Sequence, residues 1–341
     1  MPEKDDTVMA GTLVKDVTTK KEDYSDLLAL VDARALPFTC AVNKSSAATN
    51  PRFDWTADTY AAPKLGGVVD GQDVTNFSDE FANRGKLYNY VQIFERTPMV
   101  STLTQEASDM PGAANPIQAA TAKALVEIKR DMESVFLSSN DAQVDTGTVP
   151  YLTCGLDLWI STTGPTVASC PSNQRPASAQ IITTACASLD EVTDMQGILR
   201  AIFDAVGMVS EEYMLLAGSV LRARITEMTR TDTESSAAAV RVRTFSGPMD
   251  NQTITSTTTV FRGDFGSFTV TPSSWIGMSG TPLAPDTDRG YLLDMSKLRL
   301  RYNQRPTVTP LPNLGGGERR LVRAIAGLQV DSPKGMGKFK P

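Results

Sequence analysis

Histidine is absent from all 341 residues, and that one absence excludes a good deal of chemistry. No imidazole is available as a general base, as a member of a nucleophile triad or as a zinc ligand. Cysteine is scarce. Cys40, Cys154, Cys170 and Cys186 include no Cys-x-x-Cys pair, so a four-thiolate zinc site has no framework. The four read as buried free thiols, with a Cys154–Cys170 disulfide as the alternative. No apolar run nears the roughly 18 residues that a membrane span needs. The N-terminal stretch MPEKDDTVMAGTLVKD lacks the basic start and apolar block of a signal peptide. The expectation is a chain that folds in a cytoplasm, without membrane contact.

What is present is ordinary in amount and uneven in placement. A hydrophobic content of 41% and a mean hydropathy of -0.18 belong to a soluble globular chain long enough for a sizeable core. The net charge of -6 hides a split. From Arg289 onward there are 11 Lys and Arg against 3 Asp and Glu, a balance of +8, which leaves -14 for the residues before. A basic C-terminal third can neutralise nucleic-acid phosphates, or it can be the wet face of a strand, and both readings stay open.

Residues 1–50 are mixed around one apolar island, LLALVDARALPF, and read as an arm that docks on something else. RFDWTADTY alternates, and LYNYVQIFERTPMVS is rich in β-formers. The stretch between them holds Pro63, Gly66, Gly67, Gly71 and Gly85. Together they predict a two-stranded β-arm with a glycine-rich tip, an element too thin to bury its own aromatics. NPIQAATAKALVEIKRDMESVFLSS is the strongest helix. Asn115 caps it, Pro116 takes the first position, and Ile117, Ala120, Ala124, Ile128, Met132 and Val135 form an apolar stripe. SLDEVTDMQGILRAIFDAVG predicts a second helix, with a Ser188–Glu191 capping box, Gly207 as the stop and a face of Val192, Met195, Leu199, Ile202, Phe203 and Val206. YMLLAG reads as a buried strand and SVLRARITEMTR as a helix. The remainder reads as β: VRVRTF, the hairpin TTTVFRGDFGSFTVTPS, then KLRLRY, whose Leu298, Leu300 and Tyr302 alternate with Lys297, Arg299 and Arg301. GGGERRLVRAIAGLQVDS supplies a turn and a last strand.

Several strings imitate catalytic signatures. Asp145-Thr146-Gly147 spells the aspartic-protease triplet but is equally a good turn. Asp264-Phe265-Gly266 spells the kinase metal-binding triplet without any other kinase motif, and RGDFGS reads better as a hairpin turn. LGGGERR lacks the Gly-Lys-Ser/Thr ending of a phosphate-binding loop. No coherent catalytic set remains, and neither a cofactor nor a metal is expected.

The order of parts, and the strings TNPRFDWTAD, NYVQIFERTPMVS, AKALVEIKRDMES, YMLLAGSVLRARI, FGSFTVTPSSWI and LLDMSKLRLRYNQRPTVTPL, resemble the Hong Kong 97-type major capsid proteins of tailed bacteriophages. The resemblance runs over roughly residues 27–330. It implies an α+β Hong Kong 97-like capsid fold: an N-terminal arm (1–50), an extended loop or E-loop (51–105), a peripheral domain with a long spine helix (106–180), an axial domain (181–290), and return strands with a C-terminal tail (291–341). It implies self-assembly as pentamers and hexamers into an icosahedral or prolate virion shell. The partners would be double-stranded DNA met non-specifically, a portal, a separate scaffolding protein and a decoration protein. Some relatives carry an N-terminal scaffolding segment for which this sequence has no room, and the loop-rich residues 140–180 are longer than such capsids lead one to expect. The expected inter-subunit contacts are Phe53, Trp55, Tyr60, Tyr90 and Phe94, with Gly66, Gly67 and Gly71 for bending. The alternatives are another virion structural protein, of tail or adaptor type, and an aspartic-type protease resting on Asp145.

Overall fold

The computed structural model describes residues 35–75, 77–79, 81–106, 115–207, 212–228, 259–278 and 284–340, with four short strands between 232 and 254. Most of the expected N-terminal arm, and much of the string VRVRTF, lie outside the described residues. The chain enters through α1 (Pro37–Ala41) and β1 (Asn43–Ala47). β2 (Arg52–Ala57) and β3 (Gly85–Tyr90) flank a long loop, and β4 (Gln92–Arg96) and β5 (Met99–Val100) lead through α2 (Thr102–Glu106) to the spine helix α3 (Pro116–Phe136). A loop-rich stretch holding α4 (Leu156–Trp159) and β6 (Ile181–Ile182) comes before α5 (Gln196–Val206), β7 (Glu212–Ala217) and α6 (Ser219–Met228). Two short pairs follow: β8 (Asp232–Thr233) with β9 (Val240–Arg241), and β10 (Phe245–Ser246) with β11 (Thr253–Ile254). β12 (Val260–Gly263), β13 (Gly266–Pro272) and β14 (Gly290–Leu293) precede the long strands β15 (Leu298–Leu311) and β16 (Glu318–Val330), and β17 (Gly337–Phe339) closes the fold.

Two sheets organise these elements. The peripheral sheet runs β1-β15-β16-β4, with β5 also paired to β16. Its inner face is the apolar half of the expected alternation. Leu298 and Leu300 are fully buried and Tyr302 is half-buried, while Ala324, Ala326, Leu328 and Val330 present the same side of β16. The spine helix lies on that face, with Ile128, Met132 and Phe136 buried and Phe136 edge-on to Phe94 of β4 at 6.1 Å. Asn115 caps the helix by accepting from the Gln118 N–H, as its sequence predicts, and the 21 residues from Pro116 make a rod of about 32 Å.

The axial sheet runs β12-β13-β7-β14-β17-β6. Its faces divide by alternation. Leu216, Tyr291 and Leu293 join the peripheral core, whereas Leu215, Ala217 and Leu292 pack with α5 and α6. The RGDFGS string is the β12–β13 hairpin, with Gly263 paired to Gly266 and only Asp264 and Phe265 between them. The α5 region departs from expectation in its first turn. Asp190, not Ser188, is the cap, accepting from the Val192 and Thr193 N–H groups. Residues Glu191–Met195 form a wider π turn. That turn rotates the helix relative to a plain 3.6-residue reading. Val192 and Phe203 therefore end up exposed, and Ile198 takes a core position the periodicity did not assign.

Two buried carboxylates knit the lobes together. Glu133, on the spine, accepts from the Phe38 N–H at 2.8 Å, the Thr39 N–H at 2.7 Å and the Thr39 hydroxyl. It thereby closes the first turn of α1 and fixes the incoming arm, which Trp275 also holds by donating its indole N–H to the Ala35 carbonyl at 2.9 Å. Asp157, on α4, is 2% exposed. It meets Lys338 at 3.1 Å, Arg289 at 3.4 Å and Lys340 at 3.8 Å, while the Tyr291 hydroxyl donates to it at 3.4 Å. This network ties the peripheral lobe to β14 and β17. Burial pulls the Lys338 ammonium below the ordinary lysine value, and Asp157 opposes that pull.

Burial pushes the Glu133 carboxyl above the ordinary glutamate value of 4.5, against the opposing pull of the Thr39 and Phe38 donors. Its folded-state value is raised, so this group favours folding most below pH 4.5 and progressively less as pH rises through the folded value. Glu133→Ala should cost about 3 kcal/mol, because two buried N–H groups lose their acceptor. The stability advantage of the native chain over Glu133→Gln should shrink between pH 4 and 7. Urea unfolding of unassembled subunits across that range checks both.

Candidate assembly surface

β2 and β3 pair antiparallel, and opposite residues share a face: Phe53 with Asn89 and Trp55 with Leu87 on one side, Arg52 with Tyr90 and Asp54 with Tyr88 on the other. The first set is buried in the subunit itself. Phe53 and Trp55 are 7% and 9% exposed, stack at 5.8 Å, and Trp55 rests on the buried Trp159 at 5.5 Å. The Trp55 indole N–H donates to the Val330 carbonyl at 3.1 Å. Gly327 of β16 is what lets Phe53 approach, since a Cβ there would lie 2.6 Å from its ring. Asn89, fully buried, donates to the Leu328 carbonyl at 2.7 Å and the Thr153 hydroxyl at 3.2 Å, and accepts from the Cys154 N–H at 3.0 Å. One side chain therefore joins the ribbon, β16 and the loop-rich segment.

These facts correct part of the sequence expectation. Phe53, Trp55 and Phe94 were expected to meet a neighbouring subunit, but their own chain covers them. The ribbon is not an arm without a core at its root. It lies against β16, and its returning strand ends at Tyr90, because β4 already belongs to the peripheral sheet through the Phe94–Ala324 and Gln92–Ala326 pairs. Tyr90 is half-buried and stacks on Tyr151 at 6.1 Å. On the outer face Asp54 sits between Arg52 at 2.9 Å and Lys86 at 2.8 Å. The Arg52 hydrogen bond holds its carboxyl below the ordinary aspartate value. All three side chains are wet, so this cluster contributes little to stability.

Beyond the root the character changes. From residue 58 to 84 the chain makes one long loop, pinched at its base by Asp58 and Arg84 at 3.2 Å. Tyr60, Leu65, Val68, Val69, Val74, Phe77 and Phe81 each stand at least 66% exposed, and Tyr60 and Leu65 are wholly so. The tip turns at Asp70-Gly71, where the Gln72 N–H donates to the Val69 carbonyl at 3.1 Å and Gly71 takes φ of +78°. That is the position of a type II turn that favours glycine. Gly66 and Gly67 have open space around them and no positive φ, so the bend rests on Gly71 alone.

The catalytic look-alikes resolve as turns. Asp145 accepts from the Gly147 N–H at 2.6 Å, with Gly147 at φ +85°, and Asn313 ties the LGGG loop by accepting from Gly315 and Gly317. Among the described residues no three His, Cys, Asp or Glu side chains gather as a metal site, and no described helix is long and apolar enough to cross a membrane. The four cysteines are free, and all but Cys40 are buried. Burial raises the Cys170 and Cys186 thiols to about 11, so neither is a poised nucleophile.

A family profile described as "SU10 major capsid protein" matches residues 8–341. No curated protein matches the sequence. Among solved structures, the capsid of a native GTA particle superposes with a TM-score of 0.60 at 10% identity, covering 96% of this chain and 97% of that one. A chain from Mycobacterium phage Adephagia gives 0.58 at 15% identity, with 97% and 98% covered. The capsid of Cyanophage A-1(L) gives 0.58 at 14% identity, with 96% and 98% covered. The chain has the Hong Kong 97-like capsid fold.

The division between root and tip gives a direct expectation. Trp55→Ala should destabilise the unassembled subunit by about 3–5 kcal/mol. Tyr60→Ala and Leu65→Ala should leave it within about 0.5 kcal/mol of the native value. Denaturant unfolding followed by circular dichroism distinguishes the two classes.

Proposed function

The chain belongs to the family of SU10 major capsid proteins, and from that premise we propose how its subunits close a shell. Its activity is structural: it is a major capsid protein, its place is the virion capsid, and its first partner is itself. The finer reading is that pentamers and hexamers of this chain form an icosahedral or prolate shell around double-stranded DNA. The loop from 58 to 84 is the principal arm between subunits. The observation that carries this is the seven large apolar side chains of the loop left in solvent above a root that is fully packed. A monomer rarely leaves so many large apolar side chains of one element uncovered. Stable interfaces bury on the order of 1,200–2,000 Å², and an arm of this size supplies a large part of one.

Of the residues expected to make contacts, Tyr60, Gly66, Gly67 and Gly71 lie on this loop, and Tyr90 sits at the lip of its root. Leu65, Val68, Val69, Val74, Phe77 and Phe81 join them as contact residues. DNA would be met through phosphate neutralisation by exposed cations, without sequence readout. A separate scaffolding protein, a portal and a decoration protein complete the partners of the reading. Membership of the capsid family leaves the tail or adaptor reading without support, and Asp145, fixed in an exposed turn, gives the protease reading no second group to work with.

Because Ala57 and Gly85 are directly paired, residues 58–84 can be replaced by Asn-Gly as a two-residue hairpin. This variant should unfold at nearly the native denaturant concentration yet elute as small oligomers, with no shells in negative-stain images. Normal shells from it would overturn the reading.

A further inference from the structure

The sheet anchors the inner part of the ribbon root, where Trp55 and Asn89 bond to β16. The end from which the loop departs is gripped by a different part of the chain, residues 169–173 of the loop-rich stretch. Tyr88 of β3 and Ser169 exchange backbone hydrogen bonds as an antiparallel bridge, the Ser169 N–H donating at 3.2 Å and the Tyr88 N–H at 3.4 Å. The ribbon is therefore three-stranded at that rung. Just past the last β2–β3 pair, the Asn173 side-chain amide donates to the Asn83 carbonyl at 2.9 Å. Between these two points Gly85 lies against Pro171, where a Cβ would come within 2.9 Å of the proline Cγ.

The grip is itself firmly held. Ala168 and Cys170, each 2% exposed, bury on either side of Ser169. Asp141 accepts from the Thr166 and Val167 N–H groups at 2.8 and 3.2 Å. The Arg175 guanidinium donates to the Cys170 carbonyl at 2.8 Å, and the buried Gln174 closes a turn by donating its N–H to the Pro171 carbonyl at 3.0 Å. The loop's own closure at its base is the wet Asp58–Arg84 pair, which fixes little. Each limb of the loop reaches up to about 40 Å, so a swing of about 5° at the base carries the tip by about 3.5 Å. Interface cores pack as closely as protein interiors, and a shift of that size changes which atoms meet.

We propose that residues 169–173 are the positioning element of the arm: by holding β3 at its edge and beneath its end, they set the direction in which the loop 58–84 leaves the subunit, and with it the angle between neighbours and the uniformity of shell size. This rests on the reading of the loop as an inter-subunit arm. Ser169, Pro171 and Asn173 touch the ribbon and act on the shell only through it.

Two variants of the full chain weaken the grip at different points. Ser169→Pro with Asn173→Asp removes the bridging N–H and the amide donor, and Pro171→Ala cuts back the support under Gly85. Shells of either variant should show diameters scattered at least twice as widely as native ones in cryo-electron micrographs. Ile128→Val, in the spine core, serves as the control, and it should lower yield at most. Shells of native size and spread from both variants overturn the proposal, as does an equal scatter from the control, which would make the effect one of stability alone. If neither variant assembles, spin labels on Cys40 and Tyr60→Cys decide in unassembled subunits, since Cys40 is exposed and the other three cysteines are buried. The distance between the labels should spread more widely in the variants than in the native background, and an unchanged spread overturns the proposal. If it is overturned while the Asn-Gly replacement still abolishes shells, the loop keeps its inter-subunit role and only the positioning element falls.

Discussion

The antiparallel pairing of β15 with β16, running from Leu298–Val330 to Leu311–Arg319, is the constraint on which the peripheral lobe depends. Both of its faces are in use. Leu298, Leu300 and Tyr302 of β15 face the core that the spine helix covers. The other face carries Arg299, Arg301, Gly327 and Gln329, and there the ribbon root lies. A slip of one residue would send every side chain to the wrong face, placing Leu298 and Leu300 under Phe53 and arginines under the spine. Backbone acceptors matter as much as side chains. The Val330 and Leu328 carbonyls hold Trp55 and Asn89, so the register of this one pair also sets where the loop begins.

The loop shows how a thin element can be rigid at one end and uncovered at the other. At the root, aromatic stacking, an indole hydrogen bond and the saturated Asn89 amide act in a dry environment, where each contact is worth more than it would be in water. At the tip, the same chain has no layer to lie against. The wet pairs around Asp54 and Asp58 orient the ribbon but add little energy. What the subunit leaves unsatisfied is therefore apolar area, which is recovered only when another surface covers it.

Much of this was legible because local rules and tertiary context agree. Asn115 and Pro116 mark the start of the spine, its stripe recurs at helical spacing, and the alternation in KLRLRY names the buried face outright. The misreadings have a common cause. Alternation says that Phe53 and Trp55 share a face, but not which surface covers it, and that surface lies some 275 residues away at Val330. Glu133 could be noticed as a charge beside the apolar stripe, yet its partners Phe38 and Thr39 are 95 and 94 residues distant. Asp157 and Lys338, separated by 181 positions, carry no local signal at all. The π turn before α5 was invisible to a fixed 3.6-residue period.

The charge split takes on a different meaning once the partners are known. Of the eleven cations from Arg289 onward, six meet carboxylates of their own chain: Arg289, Arg299, Arg320, Arg323, Lys338 and Lys340. The basic third is thus largely neutralised inside the fold, some of it by Glu95 and Asp157 from the acidic part. On the loop tip, by contrast, Asp70 and Asp73 stand exposed among apolar side chains. Exposed charges act over about one Debye length, roughly 8 Å at physiological salt, so they steer and align an approaching surface without holding it. Apolar burial holds it, without regard to orientation. An arm carrying both at its tip separates choosing a neighbour from retaining it. On the reading of the loop as an inter-subunit arm, added salt should therefore slow assembly more than it loosens a finished shell.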